Sequence, residues 1–267
     1  MSPNPRKLNV FVIAHPDDES MFFIPTIRAL QQHESESKIW LLCLTTGDYD
    51  GLGKARVKEL EKASYDVLGI DRVIQLNELK DHPTESWSID QATQCLRACL
   101  RQEIDNDAQK YSKICIFTFD QDGVSGHINH RDTFLAVRQL YLEEQESGFS
   151  STERDLSLPA KLMVFLLETE PSLFQKYFPV YEWLSLILFW IHLVPQISSF
   201  KYDGPSHVKE LVFRLRYPCL NWRAMATHRS QFVWYRRLFV VFSCYTYVNR
   251  LKNLGPDLPK AKQLVRT

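Results

Sequence analysis

At 267 residues the chain is long enough for one large domain with a full hydrophobic core. Its 45% hydrophobic and 24% charged residues exclude a disordered or collagen-like chain. The formal net charge of +0 conceals a division: residues 1–199 carry 19 Lys and Arg against 29 Asp and Glu, whereas residues 200–267 carry 13 against 3. A basic end on an acidic body points that end towards an anionic surface.

The first residues contain no apolar run before the first strand, so neither a secretory signal nor a transmembrane anchor is expected there. Residues 8–14, 39–44, 73–76, 114–119 and 161–168 read as buried strands, continuously apolar and bounded by polar or turn residues. Helical periodicity occupies residues 20–32, 54–68, 90–106 and 130–144, with Asp90 as the expected N-cap of the third and Gly69 ending the second. This alternation predicts an α/β fold of the Rossmann-like kind. It is a three-layer αβα sandwich with a mostly parallel central sheet and a helical, aromatic-rich C-terminal extension.

Further along, residues 143–158 are polar and read as a surface loop. Residues 181–194 are strongly apolar but fall short of the ~20 needed to cross a bilayer, so a buried helix and an interfacial segment both remain open. Residues 207–215 read as a late strand and residues 222–249 as one or two aromatic-rich helices. One domain is expected over residues 1–249, followed by a flexible basic tail over 250–267. The six cysteines contain no CxxC pair and read as free, mostly buried thiols.

The first strand runs directly into His15-Pro16-Asp17-Asp18-Glu19. In open α/β sheets the functional crevice lies beyond the carboxyl ends of the strands. Adjacent Asp17 and Asp18 repel each other unless a positive group offsets them, and a metal ion is one such group. A second cluster, from Asp122 through His127 and His130 to Asp132, follows the strand at 114–119 and so falls at the same sheet edge. His127 and His130, three apart, are expected to share the face of a starting helix. Histidine and carboxylate suit a divalent ion such as zinc, and three ligands with an open fourth position are the catalytic pattern. Each motif alone also fits a bland reading: a helix N-cap for the first, a packed or surface pair for the second. Their occurrence together at strand ends favours a metal site.

The residues Ala14 to Glu19 with Gly126 to His130 resemble the LmbE-like zinc deacetylases. Thr45-Thr46-Gly47-Asp48, Arg56, Phe119-Asp120, Gly123 and His228-Arg229-Ser230-Gln231 bring the chain nearer to the eukaryotic PIG-L branch of that family. The resemblance implies that His15, Asp18 and His130 bind zinc, that Asp17 is the general base on bound water, and that His127 assists as acid or oxyanion partner. It further implies removal of acetyl from N-acetylglucosaminylphosphatidylinositol, the second step of glycosylphosphatidylinositol-anchor synthesis, on the cytosolic face of the endoplasmic reticulum membrane. Arg56 matches a position near the sugar, and Asp48 and His228, which stand in matched stretches, join it as candidate substrate-binding residues. For Arg56 an exposed helix residue paired with Glu59 or Asp48 is the equal alternative, and for His228 a packing role.

Many members of that branch begin with a transmembrane helix, and no such run stands at this N-terminus. Peripheral attachment through residues 181–194 and 222–249, where arginines interleave with aromatics, is the expectation. A soluble deacetylase of another N-acetylglucosaminyl compound and a silent scaffold stay as alternatives. Nucleic acid is not an expected partner. A nucleotide cofactor is not expected either, because the first βα turn has acids where phosphate binding needs glycines.

Overall fold

Strand β1 (Arg6–Ile13) lies at the centre of the fold, buried along nearly its whole length. Its side chains alternate: Phe11 and Ile13 enter one core, Val10 and Val12 the other. A strand buried on both faces is the signature of a parallel sheet covered by two helical layers. The computed structural model describes residues 6–107, 110–147, 158–190, 210–215 and 218–255.

The chain continues through a wide π-type turn at Glu19–Phe23, α1 (Ile24–His33), β2 (Lys38–Cys43), α2 (Gly53–Lys62) and β3 (Arg72–Gln75). Next come α3 (Ile89–Asn106), β4 (Tyr111–Phe119), the short turn α4 (Gly123–Gly126), α5 (Ile128–Ser147) and β5 (Lys161–Leu167). The last part holds α6 (Leu173–Tyr177), α7 (Val180–Trp190), β6 (Glu210–Arg214), α8 (Cys219–Thr227), α9 (Trp234–Phe242) and β7 (Val248–Asn253). The sheet order is β3-β2-β1-β4-β5-β7-β6. The first five strands are parallel, and β7 and β6 add an antiparallel edge.

Register aligns Phe11 with Phe117 and Phe117 with Phe165 across three neighbouring strands. The rings stack at centroid separations of 5.0 and 5.2 Å. Burying each such ring contributes about 1.5–3 kcal/mol. The opposite face packs Val10, Trp40 and Ile116 beneath α3 and α5.

The expected α/β architecture is present, with several local differences. Ser88, not Asp90, caps α3, its side chain accepting from Gln91 N at 3.4 Å. Helix α5 extends to Ser147, into the stretch read as loop. The aromatic region contains α8 and α9 as expected, but the chain then returns to the sheet as β7, so the domain does not end at residue 249. Asn249 is buried and ties the last strand to the first helix. Its Oδ1 accepts from Thr26 N and Oγ1 at 3.1 and 2.7 Å, and its Nδ2 donates to Phe22 O at 2.8 Å. The rest of the expected tail, residues 256–267, and residues 191–194 of the apolar segment lie outside the described residues.

Candidate active site

The strand order reverses direction of growth at β1, which is flanked by β2 on one side and β4 on the other. This switch point is where the loops leaving two neighbouring strands diverge and open a crevice. The loop after β1 carries His15, Asp17 and Asp18; the loop after β4 carries His127 and leads to His130. The two sequence clusters therefore meet in space.

Asp18 organises the floor. Its Oδ2 accepts from the backbone N–H of Ala14 and His15 at 3.1 and 2.8 Å, while Oδ1 faces His130 Nε2 at 3.2 Å. His15 Nδ1 lies 3.6 Å from Asp18 Oδ2. Burial opposes the charge of Asp18, but the imidazoles of His130 and His15 outweigh it and hold its carboxyl well below the usual range.

Each imidazole is oriented from behind. His130 Nδ1 lies 3.0 Å from Gly123 O, an acceptor only, so Nδ1 carries a hydrogen and Nε2 is the atom turned to Asp18. The His130 ring stacks on Phe119 with centroids 4.1 Å apart. His15 Nε2 donates to Asp81 Oδ1 at 3.1 Å, which leaves Nδ1 facing Asp18. Burial works against protonating His15, yet the hydrogen bonds and charges of Asp18 and Asp81 raise it to about 9.

These atoms fit a divalent ion. Tetrahedral donors at zinc bond lengths stand roughly 3.3 Å apart, and His130 Nε2 and Asp18 Oδ1 are 3.2 Å apart, with His15 Nδ1 directed at the same carboxylate. Carboxylate or carbonyl support behind each ligating histidine is the usual arrangement around such an ion. The ligand atoms of His15, His127 and His130 also lie within 4.8 Å of one another, so all three histidines border the same space.

Asp17 has φ +122, a region that non-glycine residues avoid. Such a backbone costs about 1–3 kcal/mol and persists only where its surroundings hold it. Here Glu19 Oε2 accepts Asp17 N at 3.1 Å, and Asp17 O accepts from Ser20 N and Met21 N at 3.1 and 3.0 Å. The Asp17 side chain is buried between two guanidinium groups, Arg56 at 3.5 Å and Arg236 of α9 in a close ion pair.

His127 does not share a helical face with His130. It sits in extended backbone before α5 because the chain turns sharply through α4, where Val124 has φ +60. Its Nδ1 accepts Asn129 N at 3.2 Å, leaving Nε2 to carry the hydrogen. Burial, then the charges of His15 and His130, push its pKa down to about 4, so the ring is neutral at physiological pH.

The three candidate substrate-binding residues stand differently. Arg56 is buried, not an exposed helix residue. It donates to Gly47 O at 2.9 Å and Pro16 O at 3.0 Å, and pairs with Asp17 and Asp81 rather than Glu59 or Asp48. Asp48 is exposed in the loop before α2, its Oδ1 accepting Gly53 N at 2.6 Å. His228 is fully buried and reaches Glu19, a contact in keeping with the packing alternative. Two partners, Asp81 and Arg236, carried no motif signal, and Glu19 stood in the first motif without a role. Asp81 could be sought in the loop leaving β3, at the same sheet edge. Arg236 had only the basic excess of its region to mark it.

The family model described as PIG-L: GlcNAc-PI de-N-acetylase matches residues 10–141. N-acetylglucosaminyl-phosphatidylinositol de-N-acetylase of Bos taurus is 33% identical over 252 residues, covering 92% of this chain and 83% of that protein. The chain belongs to the PIG-L family. A second PIG-L relative, the N-acetylglucosaminyl-phosphatidylinositol de-N-acetylase of Saccharomyces cerevisiae, is 31% identical over 246 residues, 89% of this chain and 78% of that protein. Among solved structures, N,N'-diacetylchitobiose deacetylase from Pyrococcus horikoshii superposes with a TM-score of 0.60 at 18% identity. It covers 94% of this chain and 84% of that one and places the PIG-L chain in the same fold.

Proposed function

We propose that this protein hydrolyses the acetamide of N-acetylglucosaminylphosphatidylinositol, releasing acetate and glucosaminylphosphatidylinositol for glycosylphosphatidylinositol-anchor synthesis. The observation that supports the reaction most is the convergence of His15 and His130 on Asp18, with the buried Asp17 its neighbour in the chain, in a crevice of a PIG-L chain. The names of the curated relatives support the substrate.

His15 Nδ1, Asp18 Oδ1 and His130 Nε2 would hold a divalent ion, zinc by the donor set. Such an ion supplies Lewis acidity that lowers the pKa of water and polarises an amide carbonyl. Asp17 receives one proton of the attacking water and delivers it to the amide nitrogen as the C–N bond breaks, and the proton left on the new carboxyl group then passes to the amine, giving acetate and an ammonium. His127 donates its Nε2–H to the carbonyl oxygen as negative charge develops there. Its low pKa means that this donor is a neutral imidazole, which favours the oxyanion role over proton transfer. Arg56 keeps Asp17 and the Gly47 loop in register, so a structural contribution stands beside any contact with sugar.

The site of action is a membrane surface of the endoplasmic reticulum on its cytosolic side, reached without a spanning helix in the described residues. Acetate release from N-acetylglucosaminylphosphatidylinositol, measured with and without a chelator and compared with free N-acetylglucosamine, tests the proposal. Chelator-sensitive turnover of the lipid alone is expected. Equal turnover of the free sugar would transfer the function to a soluble N-acetylglucosaminyl substrate.

A further inference from the structure

Helix α9 is amphipathic with its apolar side outward. Trp234, Tyr235, Leu238, Val241 and Phe242 recur at i, i+1, i+4, i+7 and i+8, which places them on one stripe, and all five are exposed. The opposite side carries Val240 into the core and Arg236 to Asp17. Helices α6 and α7 repeat the pattern, with Leu173 and Phe174, then Tyr181, Leu184 and Ile187 exposed. The two stripes are joined by ring contacts: Phe178 to Phe242 at 6.3 Å and Trp183 to Phe242 at 6.0 Å. Soluble proteins seldom expose a continuous apolar face of this kind without a partner for it.

That face opens into the active site. A cavity of about 610 Å³ lies between α6 and α9, walled by Phe22, Tyr177, Phe178 and Phe239 among others. Its inner end includes Ser125, whose Oγ is 3.1 Å from His130 Nδ1, and Arg236, which pairs with Asp17 and is the one charged residue in the lining. From inside to outside the order is therefore imidazoles and carboxylates, one guanidinium, an apolar cavity and an apolar surface. A glycosylated phospholipid has the same order: acetamido sugar, phosphodiester, acyl chains.

Charge points to the same occupant. Arg223, Arg229 and Arg237 are exposed on and beside α8 and α9, in the region where basic residues outnumber acidic ones 13 to 3. Exposed tryptophan and tyrosine among arginines suit the headgroup layer of an anionic bilayer. We propose that the α6–α7–α9 face seats in that layer, so that a membrane phospholipid presents its sugar to the site while its acyl chains stay in the apolar cavity and the bilayer. This deepens the reading above and rests on it for the class of substrate.

The test uses the full metal-loaded chain and the double variant Leu184→Glu with Trp234→Glu, two positions outside the cavity lining. Co-sedimentation is measured with phosphatidylcholine vesicles containing phosphatidylinositol. Acetate release is measured from vesicle-embedded substrate and from its acyl-free, water-soluble analogue. The unaltered chain is expected to bind vesicles. The variant should lose about tenfold or more in binding and in vesicle turnover while its turnover of the analogue is unchanged.

A second variant, Arg223→Glu with Arg229→Glu, should weaken binding by about tenfold only when phosphatidylinositol is present, which keeps the test open if the first variant misfolds. Vesicle binding equal in all three proteins would overturn the proposal. So would failure of the unaltered chain to bind vesicles together with loss of a co-purifying protein from the first variant, the outcome expected of a protein interface. Variant-sensitive vesicle binding without acetate release from either substrate would uphold the surface and overturn the substrate instead.

Discussion

His228 Nε2 and Glu19 Oε1 lie 2.6 Å apart where solvent does not reach either residue. Glu19 Oε2 in turn accepts the backbone N–H of Asp17. The pair thus connects α8 to the strained backbone of the proposed base. His228→Ala leaves a buried carboxylate without this partner and should destabilise the fold by about 1–3 kcal/mol. Thermal denaturation reads that loss. His228→Gln, which keeps a donor, should recover part of both stability and turnover, and metal content should stay unchanged in both variants.

Asp17→Asn should lower turnover by about 10²–10⁴-fold, the usual contribution of a positioned base. Asparagine has the shape of aspartate and keeps the backbone N–H bonded to Glu19, so the fold and the metal content should survive. Metal analysis alongside acetate release checks the separation. Near-normal turnover would remove Asp17 from the reaction.

Asp81 holds Nε2 of His15 from the side away from Asp18 and pairs with Arg56. Asp81→Ala should therefore weaken metal affinity by about 10–100-fold without abolishing binding, the usual cost of losing such a support. His15→Ala should lose both metal and activity. Chelator competition measures the difference between the two variants.

His15 and His127 give opposite dependences of stability on pH in the metal-free protein. Burial opposes protonation of His15, but Asp18 and Asp81 raise it from 6.5 to about 9. Its stabilisation is fully present below 6.5 and is lost as pH rises through about 9. Burial and the charges of His15 and His130 lower His127 from 6.5 to about 4, so the unfolded chain binds more protons in that window and stability falls as pH drops through it. Metal-free protein should be most heat-stable around pH ~6.5 with respect to these groups. A bound ion replaces the proton on His15, so the Tm gain from metal should grow between pH 6.5 and about 9. A gain independent of pH would remove His15 from the ligands.

Gly47 has φ +69, and a Cβ built there would lie 2.5 Å from the Arg56 guanidinium. Gly47→Ala should cost more than about 1 kcal/mol, since the backbone suits glycine and the neighbour has to move. Displacing Arg56 also loosens Asp17, so turnover should fall more than metal content. Calorimetry and acetate release on the same preparation check both effects.

The strands from β1 to β5 were legible because a strand buried on both faces is continuously apolar, and that pattern is local. The two clusters of the candidate site were legible for the same reason: each is contiguous and directly follows such a strand. The antiparallel edge was not. β7 carries Asn249 and Arg250 among its few apolar residues, and it forms only because β5 and β6 offer it backbone partners.

By itself, the sequence determined the α/β alternation, the position of His15, Asp17 and Asp18 at one strand end, and the position of His127 and His130 at another. Only the tertiary structure decided what surrounds them. Asp81, Glu19 with His228, and Arg236 reach the site from loops and helices distant in the chain, and their roles rest on separations of a few ångströms that no local pattern records. It also decided that the apolar stripe of α9 faces outward. Periodicity shows that a helix has two sides, but only packing against the rest of the fold selects which one is covered.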